Sequence, residues 1–484
     1  MPPHEEEEVL VVPVDEREEE KARLDDKPEN VEALDRFVAN VVAVKDPNAL
    51  VIEDISSLTT STFNYKHVTK LNLPDCGLAE LPEGFAEAFP NLSILFLSNN
   101  RFREMPAVVG KCPQLQMVAF KSNGMTIIHP DALQPQLRWC ILTNNDIQQL
   151  PETIGRCTRL QKLMLSGNQL SNLPDTMENC TSLELIRLAA NRLMEPPQVL
   201  LGLPNLAWMG LSDNPFSWSA SSSSALPTFS AELDHTEGQI LGQGAGGITR
   251  KIVTPDGMTV ALKQFCSNHM TSDGNPDSER RIATQTALLA SQLPALVPVY
   301  GQTSQGSLVM EYLPAVKALA DPPSLVSCSR DVYREDAPSW NKSQAEHVIT
   351  TLLETLIGLH RAGICHADFY SHNILVHESD EDDALPQVRL TDFGAAYMYD
   401  READYATAIE TTELRAFGVF VDEIHRHCVD QSSSALHELA EACRTKGATF
   451  DGVHIRWRQA QLKALARSFD PDSSEEVKEE KTTD

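Results

Sequence analysis

A nine-residue pattern, LxxLxLxxN, recurs seven times in the first half of the chain and restricts the possible folds more than any other feature. Successive copies begin 22 to 24 residues apart, and "LSILFLSNN" and "LQKLMLSGN" are examples. This spacing is typical of leucine-rich repeats, in which each unit adds one strand to a parallel sheet and buries its leucines against the next unit. The seven copies begin at Val68, Leu92, Leu115, Leu137, Leu160, Leu183 and Leu206.

An asparagine ends six of the seven copies, and we interpret it as structural. A buried side-chain amide can satisfy backbone groups at the point where each strand turns away. Nothing in these residues indicates catalysis. They are Asn100, Asn123, Asn145, Asn168, Asn191 and Asn214.

The third and fifth positions of each copy are predicted to project from the concave face of the sheet, because strand side chains alternate. Eight of these fourteen residues are large and apolar, and the three charged ones, Lys70, Lys162 and Arg187, are basic. An apolar surface of this size favours binding of a protein partner with acidic flanks, and residues 5–20 of the chain itself are a candidate. The alternative is that flanking segments or the second domain cover this face. The eight apolar residues are Ile94, Phe96, Met117, Trp139, Ile141, Met164, Leu185 and Trp208.

Length and charge predict two folded units with acidic ends. A chain of 484 residues exceeds one ordinary core, so two folded units are expected. Its net charge of -29 is unevenly spread: residues 1–30 carry 12 acids against 4 bases and residues 470–484 carry 7 against 2, and we expect both ends to be disordered. This acidity disfavours nucleic acid and anionic membranes as partners.

The sequence shows no signal peptide and no apolar run of transmembrane length, so we expect an intracellular, cytoplasmic protein. Three of ten scattered cysteines, Cys112, Cys157 and Cys180, occupy equivalent repeat positions and are predicted to be small buried hydrophobes.

Several phosphate-binding signals follow one another in the second half. Gly242, Gly244 and Gly247 have GxGxxG spacing, which taken alone also fits an ordinary turn. Lys263, in the apolar run "VALKQF", is placed where a strand lysine can meet nucleotide phosphates. Glu279 begins a predicted helix and is a candidate partner for Lys263, although the sequence does not show whether the two meet. The stretch "LVMEYLP" predicts a strand that leads into a hinge, whose backbone binds an adenine edge; its residues are Met310, Glu311 and Leu313.

The stretch "GICHADFYSHNILV" contains His366-x-Asp368-x-x-x-x-Asn373, and Asp392-Phe393-Gly394 follows nineteen residues after Asn373. Phosphoryl transfer requires these residue types. Asp368 is a candidate acceptor for the proton of the attacking hydroxyl, and Asn373 and Asp392 are hard oxygen ligands for Mg²⁺ at the phosphates of ATP.

Together these motifs resemble the protein kinase fold, and more narrowly the intracellular leucine-rich-repeat protein kinases of bacteria and plants. The resemblance covers about residues 68–460, and its narrower part rests on "TSDGNPDSE", "HADFYSHNIL", "TDFGAAYMYD" and "ELRAFGVFVDE". It implies an α/β leucine-rich-repeat solenoid followed by an α+β bilobal kinase-like domain, with Lys263, Glu279, Asp368, Asn373 and Asp392 in their usual roles. We expect the two domains to have separate cores. The predicted division is 1–49 acidic segment, 50–218 repeats, 219–234 Ser-rich linker, 235–469 kinase-like domain and 470–484 acidic tail.

Three departures from the kinase pattern keep three functions open. Ala367 replaces the usual arginine before the catalytic aspartate, which argues against control by activation-loop phosphorylation, and Tyr370 replaces the usual lysine. The segment between Gly394 and Glu413 is short and lacks Ala-Pro-Glu. We favour an active protein kinase, serine/threonine by default, whose repeats recruit substrate or gate the kinase. The alternatives are a nucleotide-binding scaffold without transfer, and a small-molecule kinase.

Overall fold

The structure is a computed structural model. It describes residue 66 and residues 68–217, 226–244, 246–266, 270–377, 384–428 and 434–468. The predicted acidic ends (1–49 and 470–484) lie outside the described residues, and so does much of the predicted linker. The predicted domain boundaries therefore stay predictions. We use "repeat segment" for residues 68–217 and "C-terminal segment" for residues 226–468.

Seven strands of the repeat segment form one parallel sheet, in which each strand pairs with that of the next repeat. Each strand covers the third to fifth positions of the LxxLxLxxN pattern, as the sequence predicts. Two further short strands, β3 and β5, pair with each other. The strands are β1 (Lys70–Asn72), β2 (Ile94–Phe96), β3 (Glu104–Met105), β4 (Met117–Ala119), β5 (Ile127–Ile128), β6 (Trp139–Ile141), β7 (Lys162–Met164), β8 (Leu185–Arg187) and β9 (Trp208–Gly210).

The six pattern asparagines are buried, and their amides bond the backbone of adjacent repeats. Asn168 is representative. Its Nδ2 donates to the carbonyls of Leu142 and Leu165, both at 2.9 Å, and its Oδ1 accepts from the backbone N–H of Ile147 at 3.1 Å. The structural interpretation of these residues is confirmed.

Short helical turns return the chain from each strand to the next one. Cys112, Cys157 and Cys180 end three of these turns and are fully buried, as predicted. The α-helical turns are α1 (Phe85–Ala88) and α2 (Gln198–Leu201), and the 3₁₀ turns are Ala107–Lys111, Pro130–Ala132, Glu152–Arg156, Asp175–Asn179 and Pro215–Ser217.

The C-terminal segment begins with a six-stranded sheet in the order β10-β14-β15-β13-β12-β11. Helix α3 (Pro276–Leu289) packs beside this sheet; Asn275 caps its N-terminus by accepting from two backbone N–H groups. The strands are β10 (Thr228–Phe229), β11 (Gln239–Gly244), β12 (Gly247–Val253), β13 (Thr259–Phe265), β14 (Val299–Thr303) and β15 (Leu308–Glu311), and the 3₁₀ turn Ala231–His235 precedes β11.

The rest of the C-terminal segment is mainly helical, and its central helix is α5, which has thirteen buried residues. Two small antiparallel sheets, β16-β18-β19 and β17-β20, hold the predicted catalytic loop between them. The helices are α4 (Lys342–Arg361), α5 (Ala406–His427), α6 (Ser434–Arg444) and α7 (Phe450–Ser468); the strands are β16 (Val316–Ala318), β17 (Ile364–Cys365), β18 (Ile374–His377), β19 (Gln387–Leu390) and β20 (Tyr397–Met398). A 3₁₀ turn, Ser371–Asn373, precedes β18. Among the described residues, no helix combines the length and apolarity that crossing a membrane requires.

The prediction of two separate cores is wrong, because the hydrophobic clusters cross the boundary between the segments. The cluster that holds the repeat leucines also includes Tyr397 and Ile409 of the C-terminal segment. The cluster around α4 and α5 also includes Leu185 and Trp208 of the repeats. The sequence pattern identified each core but not their contact, since side chains on the concave face complete the packing of the second segment.

We expect Asn168→Ala to lower the free energy of unfolding by about 1–3 kcal/mol, because backbone groups of two repeats lose their buried partner. Urea denaturation measures this change. Asn179→Ala is the matched control, since Asn179 is exposed and donates to the Thr176 carbonyl within its own turn. An equal loss in both variants would contradict the structural role of Asn168.

Candidate active site

Lys263 and Glu279 meet at the centre of the C-terminal segment, where β13 faces α3. The Lys263 ammonium donates to Glu279 Oε1 and forms an ion pair with it. Burial alone would lower the pKa of Lys263, but Glu279 and then Asp392 outweigh it and raise this pKa above its ordinary value. Lys263 therefore carries a fixed positive charge on the side of the sheet that faces the predicted catalytic loop.

The backbone of the predicted catalytic loop is held by Glu413 of α5. Its carboxylate accepts from the backbone N–H of Ala367 at 2.5 Å and of His366 at 3.2 Å, and it also bonds His360 Nε2 at 2.6 Å. Burial would raise the pKa of Glu413, but the hydrogen bond and charge of His360 lead the effects that lower it below its ordinary value. Glu413 thus remains an acceptor for these donors. Ala367 has a positive φ of 63°, so the loop is strained next to Asp368.

Asp368, Asn373 and Asp392 come together around this loop. Asn373 Nδ2 donates to the carbonyl of Asp368 and to its Oδ2, both at 2.9 Å. The carbonyl of Asn373 accepts from Thr391 N at 2.8 Å, which joins the loop to the residue before Asp392. Asp392 has a φ of 59°, and its Oδ1 accepts from Gly394 N at 3.2 Å. The predicted catalytic and metal-binding residues are therefore neighbours in space.

The predicted glycine loop forms the β11–β12 hairpin, and its three glycines differ in environment. Among the described residues, a Cβ on Gly242 or Gly244 would meet no atom within 4 Å, whereas one on Gly247 would lie 2.1 Å from the Gln264 carbonyl. Gly247 therefore serves the close approach of β12 to β13. The hinge begins at the end of β15. Glu311 N donates to the Pro298 carbonyl at 2.9 Å, and no backbone hydrogen bond involves Leu313 N within the described residues.

A side chain of the repeat segment reaches into this site. Arg187, at the end of β8, pairs with Asp368 Oδ1 through Nη2 and donates to the Ala367 carbonyl through Nη1 at 2.9 Å. Its Nε lies 2.9 Å from Asp273 Oδ1. Burial alone would lower the pKa of Arg187, but the nearby charges of Asp368 and Asp273 outweigh burial and raise this pKa above its ordinary value. The guanidinium remains charged and joins three groups of the C-terminal segment.

The neighbouring repeat strand contacts the same loop. Trp208 stacks on Tyr370, with ring centroids 4.3 Å apart and planes 4° from parallel, and its Nε1 donates to the Phe369 carbonyl at 2.9 Å. The predicted ligand surface is thus partly occupied. Leu185 and Trp208 are buried in the C-terminal core, so these two residues are not available to an external partner. Met164 packs against that core and is only partly buried. For Leu185 and Trp208, the alternative that the second domain covers the concave face is therefore correct.

The loop before α3, quoted above as "TSDGNPDSE", completes the junction between the segments. Ser166 donates to the Ser272 carbonyl, and Ser212 donates to the Asp273 carbonyl at 3.0 Å. Gly274 has a φ of 138°, and a Cβ there would lie 2.6 Å from Ser212 Oγ. The loop therefore lies between the concave face and the Lys263–Glu279 pair.

Within the described residues, one buried group has the residue types of a metal site: His360, Cys365 and Glu413. The Glu413 oxygens already accept from two backbone N–H groups and contact His360, as described above. Burial also raises the pKa of the Cys365 thiol well above its ordinary value, which opposes the thiolate that a metal needs. We interpret this group as the hydrogen-bonded support of the loop.

Comparison with protein families agrees with this geometry. Residues 235–433 match the model described as protein kinase domain, and residues 135–193 match the model described as leucine rich repeat. The chain has the architecture of a leucine-rich-repeat kinase. A comparison with curated proteins found no match. The resemblance inferred from the motifs is confirmed at the level of this architecture.

The sequence signals missed two residues of the site. Arg187 was recognised as a basic residue on an otherwise apolar face, but its contact with Asp368 spans 181 positions of the chain and had no local signal. Asp273 lies in the "TSDGNPDSE" motif, and the sequence assigns it no separate role in the site. A positive charge on an apolar surface of an acidic chain was the one available indication that a carboxylate faces it.

We expect Glu413→Gln to lower the free energy of unfolding by about 1–3 kcal/mol. The two backbone N–H groups donate to different oxygens of the Glu413 carboxylate, and a glutamine offers one oxygen and an NH₂ group that cannot accept. Thermal and urea unfolding measure the effect. Glu410→Gln, one turn away on α5, is the matched control and should stay within about 0.5 kcal/mol of the parent. Equal stability of the Glu413 and Glu410 variants would show that the loop does not depend on Glu413.

Proposed function

We propose that this chain is an ATP-dependent protein kinase that transfers the γ-phosphate to a protein hydroxyl, serine or threonine by default. The observation that carries the proposal is the assembled Lys263–Glu279 pair beside Asp368, Asn373 and Asp392. Fold alone does not imply this activity, but these residue types and this arrangement match what phosphoryl transfer requires.

Each residue has a distinct proposed role. Lys263 binds the phosphates of ATP, with Glu279 fixing its position, and Gly242 and Gly244 let the backbone approach them. Asp368 orients the attacking hydroxyl and accepts its proton. The backbone from Met310 to Leu313, with Glu311 between them, binds the adenine edge. Gly247 supports the hairpin.

The residues present fit a divalent cation. Asn373 directs its Nδ2 to Asp368, and within the described residues no hydrogen bond is made to its Oδ1. Asp392 adds a carboxylate, so the site offers the oxygen ligands that Mg²⁺ prefers. Mg²⁺ held by Asn373 and Asp392 would supply charge neutralisation at the phosphates.

The ten cysteines are all free, which supports the proposed location in the reducing cytoplasm. Protein binding by the repeats remains part of the proposal. Ile94, Phe96, Trp139 and Ile141 are only partly buried, whereas Met117 is 5% exposed. The proposed contact of this face with the acidic residues 5–20 stays a prediction, because those residues lie outside the described part of the chain.

A specific observation favours a second candidate, a nucleotide-binding scaffold without transfer. Arg187 occupies Asp368 Oδ1, and the repeats cover the catalytic loop where a peptide would approach. The small-molecule alternative has no comparable contact in its favour.

Phosphate incorporation from labelled ATP with Mg²⁺ into casein and histone, with the full chain, tests the proposal. We expect Asp368→Asn to reduce the rate by about 100-fold or more, because proton acceptance is lost. Lys263→Met and Asp392→Asn should also abolish turnover. Asp404→Asn, at an exposed aspartate, is the matched control and should retain the parent rate.

Phosphoamino-acid analysis of the labelled protein then distinguishes serine and threonine from tyrosine. Binding of ATP without transfer by the parent chain would support the scaffold instead. Label that persists in Asp368→Asn would exclude the proposed role of Asp368.

A further inference from the structure

The inference concerns Arg187, which the repeat segment places against the proposed catalytic aspartate. Its side chain is 4% exposed, and its three nitrogens reach the Asp368 carboxylate, the Ala367 carbonyl and the Asp273 carboxylate. A planar guanidinium suits such a set, since it presents several donors in a fixed geometry. Two consecutive residues of the catalytic loop are therefore tied to one point of the repeats.

The catalytic loop lacks a cation of its own at Asp368. Position 370 is tyrosine, and its ring is stacked under Trp208. The loop histidines have other partners: His372 Nδ1 contacts Asp331 at 2.7 Å, and His366 Nε2 contacts the Thr391 carbonyl at 3.0 Å. Arg187 is the basic side chain paired with Asp368 among the residues that the structure describes.

The same carboxylate is held from both sides. Asp368 Oδ2 accepts from Asn373, and Oδ1 accepts from Arg187, so its orientation is defined by one donor of the kinase domain and one of the repeats. Asp368 nevertheless keeps 14% of its side chain exposed. The contact therefore fixes the carboxylate without enclosing it.

Two observations distinguish a positioning contact from a blocking one. The Lys263–Glu279 pair is intact while Arg187 is docked, so docking accompanies an assembled site. The docked face also shares its hydrophobic clusters with the kinase domain through Leu185 and Trp208. If the repeats could move away to unblock the site, Leu185 and Trp208 would become exposed and Arg187 would lose its carboxylate partners. Both changes cost free energy and therefore oppose such a movement.

We propose that Arg187 is a positioning residue of the kinase active site, which holds the Asp368 carboxylate and the Ala367 carbonyl in place from the repeat domain. The repeat domain is then a structural part of the enzyme rather than a separable recruiting module. This inference rests on the proposed kinase function and adds a residue that the kinase motifs do not contain.

The test uses the full chain and three variants. Arg187→Met removes the guanidinium but keeps a long side chain. Arg187→Lys keeps the charge but cannot bond Asp368 and Ala367 together in the same planar geometry. Arg415→Met is the matched control, because Arg415 also crosses the junction and donates to the Leu206 carbonyl at 2.9 Å. Within the described residues, no hydrogen bond joins Arg415 to the catalytic loop.

The measurements are kcat and KM for ATP, from Mg²⁺-dependent release of labelled phosphate and its incorporation into casein and histone, with the thermal unfolding midpoint of each variant. We expect Arg187→Met to lower kcat by about 100-fold, since misplacing a reacting group by about 1 Å has that effect. KM for ATP should change less than about threefold, because ground-state binding is retained. Arg187→Lys should lie between Arg187→Met and the parent, and Arg415→Met should stay within about threefold of the parent kcat while it loses a similar amount of thermal stability.

The outcomes separate the inference from the function on which it rests. An Arg187→Met rate equal to or above that of the parent overturns the positioning role, and a rise would show that the contact blocks the site. If Arg187→Met does not fold, Arg187→Lys decides, because a parent-like kcat in that variant equally overturns the proposal. Absence of transfer in the parent and in every variant means that the proposed kinase function itself is wrong.

Discussion

The arrangement of this molecule depends on a buried arginine of the repeats that faces two aspartates of the kinase domain. Arg187 lies between Asp368 and Asp273. Removing the arginine, or both aspartates, would leave buried charge without a partner. The hydrophobic contact of Leu185 and Trp208 surrounds this polar junction. The concave face therefore stays closed over the catalytic loop, and the two family domains behave as one packed structure.

The charges of the site follow from that closure. Four carboxylates, those of Asp273, Glu279, Asp368 and Asp392, face the cations Arg187 and Lys263. Burial and then the neighbouring Asp368 and Asp392 raise the pKa of Asp273, against the influence of Arg187. The remaining excess of negative charge is what a divalent cation would neutralise. The junction with the repeats and the proposed nucleotide site therefore share one electrostatic balance.

Closure also limits how the repeats can act. The strands nearest the kinase domain contact the catalytic loop, so the proposed binding of a partner would fall to the N-terminal part of the sheet, where Ile94 and Phe96 are partly exposed. Gating that moved the whole face would expose Trp208 and unpair Arg187. A modest shift of the "TSDGNPDSE" loop, which contacts both segments, would disturb fewer contacts.

The sequence by itself determined the repeat strands, the asparagine ladder and the order of the kinase motifs, because each depends on local periodicity or on residue types at fixed spacing. It also nominated Lys263 and Glu279 as a possible pair, and the structure shows that they meet. Only the tertiary structure decided that the concave face covers the kinase domain and that Arg187 reaches Asp368. That contact joins surfaces 181 residues apart, and shape and charge complementarity between folded surfaces leave no periodic signal in a single chain.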